Sequence, residues 1–158
     1  MLEKIISGGQ TGVDRAALDF AIAHNIAHGG WCPRGRLAED GVIELRYALK
    51  ETPEAEYKQR TEWNVRDSDG TVIFTSGSEL AGGSAATRDF AIAYGKPWLH
   101  LSETSETVSS AARKLDDFIL RNGIRVLNIA GPRLSTEPKA RFFAHQVLEK
   151  WYRDLRQK

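Results

Sequence analysis

Short apolar runs that end in glycine-bearing loops, each followed by a segment with helical spacing, constrain this chain more than any other feature. That alternation builds βαβ units and a parallel sheet. Lys4 to Ser7 reads as a first strand and stops at Gly8-Gly9-Gln10-Thr11-Gly12. Val13, Ala17, Phe20 and Ala21 then share one helical face. Asn25, which tolerates the left-handed conformation, ends that helix. Ile26 to Trp31, Thr71 to Thr75, Trp98 to Leu101 and Arg125 to Ala130 supply four more strands. Later helices open after the loop Ser76 to Gly83, at Ser105 as N-cap, and near Pro138, a residue suited to a first helical turn. The expected fold class is α/β, one domain over 1–158, with about five parallel strands and helices on both faces.

The middle of the chain is less regular. From Cys32 to Gln59 the residues Pro33, Gly35, Gly41 and Pro53 interrupt any periodicity, and only a short helical piece from Glu44 to Leu49 is predicted. A second short helix is predicted from Thr61 to about Ser68. Loops this long in a compact domain are functional or disordered. The string Asp19-Phe20-Ala21-Ile22-Ala23 recurs as Asp89-Phe90-Ala91-Ile92-Ala93. Two helices packing on one sheet explain the echo, and so do two similar loop–helix units facing one ligand.

Composition removes several classes. Lys and Arg number 22 against 21 Asp and Glu, so the clustered positive excess that a nucleic-acid partner requires is missing. No apolar run approaches the roughly 20 residues of a membrane span, and glycines arrive too early for a signal peptide. The single cysteine, Cys32, cannot form an internal disulfide. A cytoplasmic protein without nucleic-acid or membrane partners is expected. Trp151 and Tyr152 on the last helix fit either the core or a homodimer contact, and a homodimer or higher homo-oligomer is the expectation.

Chemistry is expected at the carboxyl edge of the sheet, where loops lead into helix N-termini. Three loops there carry glycine or free backbone donors: Gly8 to Gly12, Thr75 to Ser84, and Ala130 to Arg133. Free N–H groups and the helix dipole favour an anion, and a missing Cβ admits phosphate oxygens. Tight turns also need glycine for steric reasons alone. No G-x-x-x-x-G-K-[ST] and no G-x-G-x-x-G is present. The candidate ligand and phosphate contacts are Gly8, Gly9, Gln10, Thr11, Gly12, Asp14, Arg15, Arg34, Thr75, Gly82, Gly83, Ser84, Gly131 and Arg133. Arg60, Thr61 and Glu62 begin a helix that leads into a strand, so they face the same edge. Glu62 is the carboxylate best placed for acid–base work with Arg60, and a salt bridge between the two explains the pair equally well. Arg66, Asp67 and Asp69 belong at the opposite edge, in a structural network. No Cys/His cluster or paired carboxylates suggest a metal.

Gly8-Gly9-Gln10-Thr11-Gly12-Val13-Asp14-Arg15, Trp31-Cys32-Pro33-Arg34-Gly35-Arg36 with Ala38-Glu39-Asp40-Gly41, the string Arg60 to Gly70, and Ala130-Gly131-Pro132-Arg133 together resemble a bacterial family named "putative molybdenum carrier", the circularly permuted YpsA branch of the SLOG superfamily. The resemblance covers nearly the whole chain. It implies a Rossmann-like three-layer sandwich that binds a phosphate-bearing nucleotide or nucleotide-derived ligand, with a molybdenum cofactor of molybdopterin type among the ligands. The alternative it implies is a hydrolase that cleaves an N-glycosidic or phosphate bond, as in the lonely-guy phosphoribohydrolases. Those relatives carry P-G-G-x-G-T-x-x-E with a catalytic glutamate. Ala81-Gly82-Gly83-Ser84-Ala85-Ala86-Thr87-Arg88-Asp89 lacks the proline and that glutamate.

Overall fold

The computed structural model describes residues 1–158. In chain order it contains β1 (Lys4–Ile6), α1 (Val13–Ala23), β2 (Ala27–Gly29), β3 (Trp31–Cys32), β4 (Leu37–Ala38), β5 (Gly41–Val42) and β6 (Lys50–Glu51). There follow α2 (Tyr57–Arg66), β7 (Gly70–Thr75), α3 (Gly82–Ala93), β8 (Trp98–Ser102), α4 (Val108–Arg121), β9 (Val126–Ala130) and α5 (Pro138–Arg156). Five strands form one parallel sheet in the order β2-β1-β9-β7-β8. The expected fold is therefore the observed one.

Alternation along the strands divides the sheet's faces. Ile5, Val72, Phe74, Leu127 and Ile129 join Val13, Leu115, Phe143 and Leu148 in one buried cluster under α1, α4 and α5. The partner helices α2 and α3 pack on each other across the opposite face, as right-handed crossovers to β7 and β8 require. Trp151 is buried, and its indole N–H donates to Asp116. It belongs to the core and not to a surface contact. No helix is long and apolar enough to cross a membrane.

Three local expectations are corrected. Ile26 to Trp31 is two strands, because Gly30 adopts φ +126° at a place where a Cβ would collide with the Ser7 carbonyl oxygen; the chain turns off the main sheet and β3 pairs with β6 instead. Glu44 to Leu49 forms no helix. The Arg36 guanidinium donates to the carbonyls of Ile43, Glu44, Tyr47 and Leu49, so the loop wraps a side chain in place of making its own ladder. Thr107, not Ser105, caps α4, through a reciprocal pair of bonds with Ser110.

The two copies of the repeated string also part company. Phe20 and Ala21 are fully buried, and Asp19 accepts the Tyr47 hydroxyl. In the second copy Asp89 and Ile92 are exposed, and Asp89 pairs with its neighbour Arg88.

Candidate functional site

The connections after β1 and β7 lead to opposite sides of the sheet, so β9 lies at a reversal of strand order, the place where open α/β sheets hold ligands. Loops after β1 and β9 and the start of α3 enclose a cleft of about 300 Å³ there. The cleft floor holds a buried ion pair. Asp14, in the first turn of α1, lies 3.8 Å from the Arg60 guanidinium of α2. Arg60 also donates to the Gly8 carbonyl at 2.9 Å. Burial pushes the Asp14 carboxyl above its ordinary range, an effect that Arg60 and the Gln10 N–H only partly offset. Burial likewise lowers the Arg60 guanidinium. The Tyr57 ring centroid lies 5.0 Å from the Arg60 guanidinium carbon and 5.3 Å from that of Arg133, within cation–π range of both. Arg133 makes no ion pair of its own.

The glycines of the three loops serve different ends. A Cβ on Gly8 would meet the Arg60 side chain at 2.6 Å, and one on Gly9 would meet Leu49 at 2.6 Å. On Gly12 it would meet the Pro132 carbonyl at 2.7 Å, and on Gly131 the Phe74 carbonyl at 2.5 Å. In each case the protein's own atoms fill the space the sequence suggested for phosphate oxygens. Around Gly82 and Gly83 nothing stands within 4 Å. These two residues open α3, and their N–H groups have no acceptor within the helix. The N-terminus of α1 is occupied differently. Gln10 N–H donates to Asp14, Thr11 N–H to the Gln10 side-chain carbonyl, and Thr11 Oγ1 both meets Glu39 and accepts from Leu134 N–H.

Two buried polar atoms on the cleft wall have no partner: Gln10 Nε2 and Ser84 Oγ. Gln10 is 4% exposed and Ser84 6%. Leaving such a group unpaired costs about 1–3 kcal/mol. The Gln10 carboxamide is fixed by its oxygen, which accepts from Thr11 N–H and Glu39 N–H, and that orientation leaves the NH₂ free.

Glu137, immediately before α5, supplies the second carboxylate of the cleft. Its Oε1 accepts Ser76 N–H at 2.9 Å, the Ser76 hydroxyl at 2.7 Å and Gly77 N–H at 3.1 Å. Thr75 and Ser102 hydroxyls both donate to the Gly77 carbonyl, which turns the two N–H groups toward Glu137. Burial alone would raise the Glu137 carboxyl; the Ser76 and Gly77 donors and nearby His100 outweigh it and hold it below the usual range. Burial keeps the His100 imidazole below its ordinary value.

Of the residues proposed from sequence, Gly8, Gln10, Asp14, Arg60, Gly82, Gly83, Ser84, Gly131 and Arg133 line the cleft. The others lie elsewhere. Arg15 forms a two-pronged pair with Asp40 at 2.5 and 2.8 Å, so its charge is spent on the long loop. Arg34 is exposed. Thr75 is buried behind Gly77 and supports the wall. Glu62 points away: its carboxylate accepts the Tyr94 hydroxyl of α3 at 2.8 Å. Neither the expected Arg60–Glu62 bridge nor an acid–base position for Glu62 is present. Cleft residues absent from the sequence reading include Asn64, Thr87, Asn128 and Glu137. Asn128 interrupts an apolar strand, and that interruption was a signal. Asp67 and Asp69 do sit at the far edge, where Asp69 accepts N–H groups of Arg125 and Val126.

Sheet order and cleft together define a Rossmann-like α/β domain with a polar cleft at its switch point. The chain belongs to the circularly permutated YpsA SLOG family, whose model matches residues 5–152. It is similar to the crystal structure of a protein named "putative molybdenum carrier protein" from Syntrophus aciditrophicus SB, at 49% identity and TM-score 0.93 over 95% of this chain and 94% of that one. A search of curated proteins returns no match.

Proposed function

We propose that the chain, as one domain over 1–158, binds an anionic, phosphate-bearing small ligand, a nucleotide or nucleotide-derived molecule, in the cleft at the head of α3. The observation that carries this reading is the pair of buried donors without partners, Gln10 Nε2 and Ser84 Oγ, on the wall that holds the open glycines Gly82 and Gly83. An anion seated there receives the α3 N–H groups and the helix dipole, the Ser84 hydroxyl and the Gln10 amide, with Arg133 and Arg60 supplying positive charge. The carrier name of the similar protein fits a binding role. No group of three or more His, Cys, Asp or Glu stands where it could hold a metal ion, so a molybdenum-bearing ligand would be held through its phosphate and organic part.

Thermal unfolding against nucleoside mono-, di- and triphosphates, ADP-ribose, NAD, molybdate and a molybdopterin preparation tests this. A ligand at about 100 times its dissociation constant adds about 2.7 kcal/mol, or roughly 5–11 °C here. A shift with one phosphate class and none with molybdate is expected. No shift with any phosphate compound overturns the proposal.

A further inference from the structure

The cleft is not uniformly suited to an anion. Arg60 and Arg133 are balanced by Asp14 and Glu137, and the two carboxylates differ in what they have left to offer. Asp14 faces Arg60 and accepts the Gln10 N–H. Glu137 gives all three of its hydrogen bonds to Oε1; Oε2 accepts nothing from the chain, and the residue lines the cleft. Ser76 and Gly77 anchor one oxygen so firmly that the other is held in a fixed place, which is what a recognition group needs. A carboxylate oxygen only accepts hydrogen bonds. A bare, fully ionised oxyanion also only accepts, so it meets repulsion at Glu137. A ligand that satisfies both walls must carry anionic oxygens at one end and O–H or N–H donors at the other. The cleft, about 300 Å³, is at the lower end of the sizes that hold small organic ligands, larger than a lone oxyanion needs.

We infer that Glu137 is a specificity-determining residue: its unused oxygen accepts ligand hydroxyls, selecting a phosphorylated polyol such as a ribose phosphate and rejecting fully ionised tetrahedral oxyanions such as sulfate. This rests on the reading that the cleft binds a phosphate-bearing ligand. Charged hydrogen bonds of this kind are the stronger class, so the loss of one hydroxyl lowers affinity about tenfold to a hundredfold.

The test is calorimetric titration of the full chain and of Glu137→Gln with ribose 5-phosphate, 2-deoxyribose 5-phosphate and sulfate, a tetrahedral oxyanion with no proton to donate. The wild-type protein is expected to prefer ribose 5-phosphate over its deoxy counterpart by about tenfold or more, and to bind sulfate weakest. In Glu137→Gln that preference falls to about twofold or less, and sulfate gains affinity because a repelling charge is gone. Equal wild-type binding of the two sugar phosphates overturns the inference by itself, whether or not the variant folds. A variant that folds and keeps the preference overturns it as well. If no phosphate compound binds the wild-type protein, the broader reading fails with it; binding without discrimination sinks only the role of Glu137.

Discussion

Asp14 and Arg60 face each other across 3.8 Å at the cleft floor, one from the start of α1 and one from α2, with side chains 10% and 9% exposed. They tie the two faces of the sheet together beneath the cleft. A buried charge left without its partner is expensive, about 3–5 kcal/mol. Arg60→Ala is therefore expected to lose about that much stability in urea denaturation. Adding Asp14→Asn should restore part of the loss, because the stranded charge is then gone. Independent, additive losses would show that the pair is not coupled.

Ser84 is a case of stability given up at a site. Its hydroxyl is buried without a partner, so Ser84→Ala should raise the stability of the ligand-free protein by about 1 kcal/mol. The same change should weaken ligand binding. Thermal midpoints with and without ligand measure both effects, and a destabilised ligand-free variant would show that the hydroxyl has a structural role.

The glycines separate in the same way. Gly131→Ala would place a methyl 2.5 Å from the Phe74 carbonyl and 2.6 Å from Val13, and should cost about 1–3 kcal/mol through overpacking. Gly83→Ala enters open space in a helix, so its stability should be unchanged or raised by up to about 1 kcal/mol. Its ligand affinity should fall about tenfold, since the methyl sits where the anion approaches. Denaturation and titration of the two variants should give opposite patterns.

Acid should loosen the β7–α5 junction. Glu137 is held below the usual carboxylate range, so its contribution to stability is complete above its unfolded pKa and is lost as pH falls through the folded value. His100 is likewise depressed, and it too costs stability once pH falls below its ordinary value. Asp14, raised by burial, runs the other way, but it is present in wild type and variant alike and cancels in their difference. The melting temperature of wild type should therefore fall more steeply than that of Glu137→Gln once pH drops below the ordinary glutamate value of about 4.5. Parallel curves would contradict the depressed carboxylate.

Much of this architecture was legible in the residues. The five strands announce themselves as apolar runs, Asn25 does adopt the left-handed conformation at φ 54°, and Pro138 does open α5. The convergence of three loops followed from parallel strands alone. What escaped was set by contacts between distant segments. Arg15 looked free until the long loop brought Asp40 to it, and Glu62 turned to Tyr94 because α2 packs on α3. The helix start at Tyr57 also lies earlier than spacing indicated. Glu137 was hidden because an acid before a proline at a helix start reads as ordinary; only its bonds to Ser76 and Gly77 mark it. The loop glycines read alike in sequence, yet their surroundings assign packing to Gly8, Gly9, Gly12 and Gly131 and leave Gly82 and Gly83 open.

The most direct measurement of the central claim is an amide NMR titration of the full chain with a ligand that raises its melting temperature. The account predicts saturable shifts of the Gly82 and Gly83 backbone amides and of the Gln10 side-chain NH₂, with Gly9 and Thr11 amides moving less because their surroundings are already filled. Saturable shifts confined to other residues, with the Gly82, Gly83 and Gln10 signals unmoved, would contradict it.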